Sequence, residues 1–233
     1  MTATRWTPDW FDQGVARQSM VAWRGVEAQH VLSTTRLVDD LHEHEVLEGM
    51  LEASKPPAPV MRGHKHYLIY TPFRYRPRHP SRFRRAGSRG QWYGAEELYA
   101  ACAEVAYWRH RFVMDSQGLA DEDVLTAHTF FQGAIDGVAI DLTVPPWVGA
   151  RDAWTLDQDY THTHAVAEAA AERRVQWIRY ESVRAPGRRC AAVLDVEAVD
   201  LVANGTTQQT WQCKANRATV MMLHDQDRHS WTF

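Results

Sequence analysis

Three cysteines in 233 residues, Cys102, Cys190 and Cys213, are too few and too scattered for a disulfide framework or a Cys-rich zinc site. A reducing compartment suits such a chain. No window reaches the roughly 18 apolar residues of a membrane span, and the first residues lack the apolar core of a secretion signal. The expectation is a cytoplasmic protein with no membrane contact. Gly-rich phosphate loops, a Gly-x-Ser-x-Gly elbow, His-Glu-x-x-His and zinc-finger spacings are missing too. The most widespread nucleotide-binding and hydrolase signatures are thereby excluded. What remains is ordinary globular composition, 45% hydrophobic with a formal charge of −3, in a chain long enough to bury roughly 70–75% of its unfolded surface.

Acid is absent from one stretch altogether. Residues 61–95 carry nine Arg or Lys and no Asp or Glu, residues 1–60 carry nine acids against five bases, and the remainder is net −8. The basic block runs from Arg62 to Arg89, and aromatics interleave it from Tyr67 to Tyr93. Its composition fits a solvated basic face, a groove for single-stranded nucleic acid, or a pocket for a phosphate-bearing nucleotide.

Leu37, Val38, Leu41, Leu47, Met50 and Leu51 recur at helical steps, so residues 15–55 read as helical, with Ser33-Thr34-Thr35 as an N-cap and Pro56-Pro57 as the stop. Residues 65–76 read as an apolar-aromatic strand. A helix is expected from Gly94 to about Phe112, with Leu98, Ala101, Cys102, Val105 and Phe112 on one stripe. A short strand follows at 138–144, a helix at 160–174, strands at 175–180 and 190–196, and a hairpin within 206–220. Without a regular βαβ rhythm these elements predict an α+β domain with a mixed or antiparallel sheet and flanking helices. Residues 1–60 are expected as an N-terminal helical extension and 61–233 as the main domain.

Single residues are ambiguous at this level. His42/His44, His64/His66 and His162/His164 offer metal donors, yet an i,i+2 pair on a helix points to different faces, and no metal is expected. Ser182, before a Pro-Gly turn, is either a turn-capping hydroxyl or a reactive group. Glu104 sits at the edge of a helical apolar stripe, where a carboxylate either reaches solvent or is held in a cleft.

Six strings in order carry a resemblance: Tyr70 to Tyr75 (YTPFRY), Ser81 to Arg84 (SRFR), Trp92 to Glu96 (WYGAE), Ala103 to Tyr107 (AEVAY), Ile140 to Pro146 (IDLTVPP) and Ile178 to Arg184 (IRYESVR). Together they resemble the RES domain, named for its Arg, Glu and Ser, and Trp23 to His30 resembles a subgroup with a helical extension ahead of it. The resemblance implies an ADP-ribosyltransferase-like fold and a toxin of a two-gene toxin–antitoxin module. It implies consumption of NAD by hydrolysis or phosphorolysis of the nicotinamide–ribose bond, or transfer of ADP-ribose to a protein. The partner it implies is a separate Xre-like antitoxin. Carried over by position, Arg82, Glu104 and Ser182 become the catalytic candidates, and Arg74, Tyr75 and Tyr93 the NAD-binding ones. Arg84 and Arg85 crowd the arginine register, and Cys102 and Trp108 depart from the usual Ala- or His-like residues.

Breaking the nicotinamide–ribose bond builds positive charge on the ribose ring, as in glycoside hydrolysis. Glu104 is the carboxylate expected to stabilise it, Arg74 and Arg82 the forks for the pyrophosphate, and Ser182 the donor to a ribose hydroxyl or the carboxamide. Tyr75 and Tyr93 are expected to stack on nicotinamide or ribose. The competing reading is a nucleic-acid-binding or RNA-cleaving protein that uses residues 62–93 as a groove. A calculated pI near 6.4 disfavours that reading, and no direct nucleic-acid contact is expected.

Overall fold

The computed structural model describes residues 5–28, 32–35, 37–202 and 208–233. Nine strands are joined in one sheet: β1 (Ala16–Glu27), β2 (Trp92–Ala95), β3 (Val124–Asp141), β4 (Trp177–Glu181), β5 (Arg189–Val193), β6 (Val199–Leu201), β7 (Gln209–Ala215), β8 (Thr219–His224) and β9 (Asp227–Thr232). Among the described residues seven α-helices flank it: α1 (Asp9–Gly14), α2 (Leu32–Thr35), α3 (Leu41–Ser54), α4 (Tyr67–Arg74), α5 (Leu98–Met114), α6 (Arg151–Trp154) and α7 (Thr161–Glu172). Every strand pairing is antiparallel except β3 with β4. This is the α+β class with a mixed, mostly antiparallel sheet. None of the described helices is long and apolar enough to cross a membrane.

The spine is β3, whose 18 residues far exceed the short strand expected at 138–144. One edge pairs with β1 from Ala16 opposite Ala139 to Glu27 opposite His128. The other edge is shared along its length by β7, β6 and β4. Because β1 also meets β2, the circuit β1-β2-β5-β4-β3 returns to β1. Glycines and polar residues at 132, 133, 136 and 137 interrupt the apolar pattern of β3 and hide its length from a sequence reading.

Two other expectations are corrected. The helical reading of 15–55 holds for Leu41–Ser54 but not for Ala16–Glu27, where Met20 and Ala22 are buried between exposed Ser19 and Val21, the period of a strand. The N-cap of α3 is Asp40, which accepts from Glu43 N at 2.8 Å, rather than the cluster at 33–35. Residues 67–74 are a helix and not a strand. Ile69 and Phe73, four apart, are its buried face, and His66 caps it by accepting from Leu68 N at 3.2 Å. The hairpin expected within 206–220 is β7 with β8, and residues 206 and 207 lie outside the described residues.

The fully buried large side chains gather in two clusters. Trp92, Ile135 and Trp177 pack with Ile69 and Phe73 of α4 in one. In the other, α5 and α7 meet Phe11, Trp147 and Trp154. Each such side chain contributes about 1.5–3 kcal/mol relative to exposure. The buried residues of α5 are mostly small (Ala100, Ala101, Cys102, Ala103, Ala106), so the helix axis lies close to the sheet. At Gly25 of β1 a Cβ would stand 2.6 Å from the Phe130 ring and 2.8 Å from Val105. Glycine there permits that approach.

Candidate active site

Between α5, β1 and β2 lies a cavity of about 400 Å³, within the size range of small-molecule sites. The α5 residues facing it are Ala101, Glu104, Val105, Tyr107, Trp108, Arg109 and Phe112. Their three- and four-residue spacing is one face of the helix. Arg24 and Glu27 enter from β1, Tyr93 from β2, and Arg82 from the loop before β2.

Glu104 is partly buried in the cavity wall, and the loss of solvent around its carboxyl raises its pKa from the ordinary carboxylate value. Opposing that rise are the Ser182 hydrogen bond and the charges of Arg82 and Arg184. Ser182 Oγ donates to Glu104 Oε1 at 2.7 Å and accepts from Arg184 N at 3.2 Å and Ala185 N at 3.0 Å. One hydroxyl thus caps the turn and bonds Glu104. At 1% exposure it sits behind the carboxylate and outside the cavity lining. Its side-chain partner is Glu104.

Arg82 is separated from its neighbours by what each guanidinium touches. Its Nη1 donates to the carbonyls of Trp154 at 3.0 Å and Leu156 at 2.8 Å, with the guanidinium carbon 5.2 Å from the Tyr160 ring centre. Arg84 is held by the carbonyls of Pro77, His79 and Arg85, and Arg85 pairs with Glu168 at the surface. Of the three, Arg82 alone lines the cavity. Its loop is fixed from α7, where Thr163 Oγ1 donates to the Arg82 carbonyl and His164 Nε2 lies 2.8 Å from the Ser81 carbonyl. The second histidine of the 162/164 pair thus holds this loop.

Tyr93 uses its hydroxyl on the same loop. It donates to Gln91 Oε1 at 2.8 Å, accepts from Phe83 N at 3.2 Å and meets Ser81 Oγ at 2.9 Å. Burial raises its pKa, so the phenol stays neutral. Its ring forms part of the cavity wall.

Arg74 and Tyr75 lie elsewhere. They line a second hollow of about 1160 Å³ that shares Arg24, Glu27, Ser81, Tyr93 and Trp108 with the first. Arg74 Nη1 is 2.7 Å from Glu52 Oε1 of α3, and its Nε donates to the Pro56 carbonyl. Part of the acid-free block is therefore paired within the molecule, Lys65 with Asp200, Arg74 with Glu52 and Arg85 with Glu168.

Several residues at the site went unnoticed in the sequence. Arg24 lies at the junction of the two hollows, donates to the Tyr93 carbonyl at 2.9 Å, and leaves its Nε without a partner among the described residues. Burial pulls its pKa down to about 10, still charged at neutral pH. Arg184 stacks on Tyr107 and pairs with Asp157. Both arginines stand inside strings of the resemblance, and an arginine in an alternating strand pattern was the available signal for Arg24. Cys190 also lines the cavity, but burial raises its thiol well above the usual value and makes it a poor nucleophile. Four guanidiniums and two carboxylates face this space. That excess of positive charge suits an anionic ligand with one electron-poor centre beside Glu104.

A family model described as RES domain matches residues 59–216. Among solved structures, a chain in the crystal structure of the M. tuberculosis MbcT-MbcA toxin–antitoxin complex is 15% identical, with 88% of this chain and 89% of that chain covered and a TM-score of 0.47. No curated protein matches the sequence.

Proposed function

The chain belongs to the RES domain family, and on that premise we propose that it is the toxin of a toxin–antitoxin module and consumes NAD by breaking the nicotinamide–ribose bond. The observation that carries this reading is a partly buried Glu104 carboxylate, held by Ser182, in a cavity faced by Arg82 and Arg184. As nicotinamide departs, charge grows on the ribose ring, and a fixed carboxylate stabilises that state more than the ground state. Ser182 fixes which way the carboxylate faces, and its proton keeps part of the negative charge compensated until the reaction develops. Arg82, whose position is locked by two carbonyls, and Arg24 bind the pyrophosphate as planar donors. The Tyr93 ring is the wall against which nicotinamide or ribose packs.

The acceptor for the ribose carbon is water, inorganic phosphate or a protein side chain. A separate antitoxin chain restrains the activity. Purified protein incubated with NAD, with and without phosphate, is expected to release nicotinamide, and the mass of the ribose-containing product identifies the acceptor. Glu104→Gln is expected to cut turnover by about 10²–10³, the scale for loss of a preorganised electrostatic group. Turnover within about threefold of the parent, in a folded variant, would remove Glu104 from the mechanism.

A further inference from the structure

The cavity is longer than the glycosidic chemistry needs. Along α5 its lining continues from Glu104 through Trp108 and Arg109 to Phe112, eight residues or about 12 Å of helix rise. The far end differs in character from the end at Glu104. Trp108 and Phe112 are 44% and 51% exposed, large aromatic surfaces left open in a cleft. The Arg109 guanidinium carbon lies 5.0 Å from the Phe112 ring centre, and its Nη1 meets Glu27 Oε2 at 3.0 Å. Beneath them His128 forms an uncharged floor; burial and the neighbouring Arg109 pull its pKa down to about 4. Glu27 keeps 52% of its side chain exposed, so its carboxylate retains free acceptor capacity.

Two exposed aromatic rings, a guanidinium plane and a carboxylate at the rim together make a place for a nucleobase. Aromatic and guanidinium faces stack on any base, and a carboxylate accepts from an exocyclic amine. We infer that Trp108, Phe112 and the Glu27–Arg109 pair form a subsite for the adenine of the substrate, at the opposite end of the cleft from Glu104. The subsite rests on the NAD reading for the identity of its base, but its geometry stands without it. Glu27 sets which base edge fits, since it accepts from the 6-amino group of adenine and repels a 6-carbonyl oxygen. The two ends are separately readable: adenosine monophosphate fills only the far end, and nicotinamide mononucleotide only the end at Glu104.

The experiment is calorimetric titration of the full chain with each mononucleotide separately, in the parent, Phe112→Ala, Glu27→Gln and Glu104→Gln. Phe112 is half exposed, so its truncation leaves the core intact, and thermal unfolding of each variant checks this. Adenosine monophosphate is expected to bind the parent and Glu104→Gln alike, and to lose at least about fivefold in Phe112→Ala, the low end for one base–aromatic stack. Glu27→Gln is expected to weaken adenosine monophosphate while leaving nicotinamide mononucleotide unchanged. Absence of adenosine monophosphate binding to the folded parent, or equal losses for both mononucleotides in Phe112→Ala, overturns the subsite. Parent protein that binds adenosine monophosphate through Phe112 yet destroys no NAD keeps the subsite and sinks the NAD-consuming reading instead. NAD turnover whose KM ignores Phe112→Ala does the reverse.

Discussion

Glu104 is where stability and chemistry pull in opposite directions. Its pKa is raised above the ordinary value of 4.5, chiefly by burial. The folded state therefore holds that proton more tightly than the unfolded chain. This contribution to stability is intact below the ordinary carboxylate value and is lost as pH climbs through the raised one. At neutral pH the ionised group costs stability, and Glu104→Gln, which still accepts from Ser182, is expected to melt higher than the parent. The difference should shrink toward pH 4; melting curves at both pH values that show a constant gap would exclude titration of Glu104 as its cause. Ser182→Ala tests the neighbouring hydroxyl. Without that donor the carboxylate loses its strongest support against burial, so the acid limb of the turnover profile should move to higher pH. The Arg184 and Ala185 amides would lose their acceptor as well, at about 1–3 kcal/mol each. A drop in stability alone, with the pH profile unmoved, would reduce Ser182 to its turn. In the sequence both residues were visible as types and undecidable as partners, because 78 positions separate the two ends of a 2.7 Å hydrogen bond.

At the scale of elements, periodicity found α5 and α7 to within a few residues and failed on β1 and α4, for different reasons. A 17-residue helix offers several turns over which an apolar stripe repeats. An eight-residue helix offers two, and the aromatic residues at 67 and 70 of α4 and at 75 just after it gave a strand-like texture while Ile69 and Phe73 decided the packing. In β1 the inward alternation is brief, and its glycine looks like a weak point until α5 is in place. Gly25 is the joint between these two elements. Gly25→Ala puts a Cβ into the Phe130 ring and Val105, both on packed surfaces. Overpacking of this kind costs about 1–3 kcal/mol, and for a chain of this size each kcal/mol is worth about 2–4 °C of melting temperature. A fall of several degrees is therefore expected, with reduced turnover because Val105 neighbours Glu104 on α5. An unchanged melting temperature would mean that α5 does not press on β1 as closely as 2.6 Å implies.

The whole molecule is more unified than its charge pattern suggests. Strong acid before residue 60 and strong base after it looked like an appended helical segment beside a separate domain, and α3, with no buried residue, fits that description. Glu52 of α3 nevertheless bonds Arg74, so part of the charge contrast is complementarity between neighbouring elements. The strand that precedes α3 is deeper still in the architecture. The family match begins at residue 59, whereas the ladder along one full edge of β3, from Ala139 back to His128, is supplied by residues 16–27. Arg24 and Glu27, two of the cavity's charged residues, come from the same strand. A chain beginning at residue 59 would expose the N–H and C=O groups of that edge and uncover the apolar surface now shielded by Met20 and Ala22. Unpaired, flat sheet edges of this length drive association. Such a truncated chain is therefore expected to aggregate or to lack a cooperative thermal transition. Cooperative melting of the residue-59 chain near the parent's temperature would show that the β1-β2-β5-β4-β3 circuit does not need its first strand. The charge boundary near residue 60 would then mark a structural one.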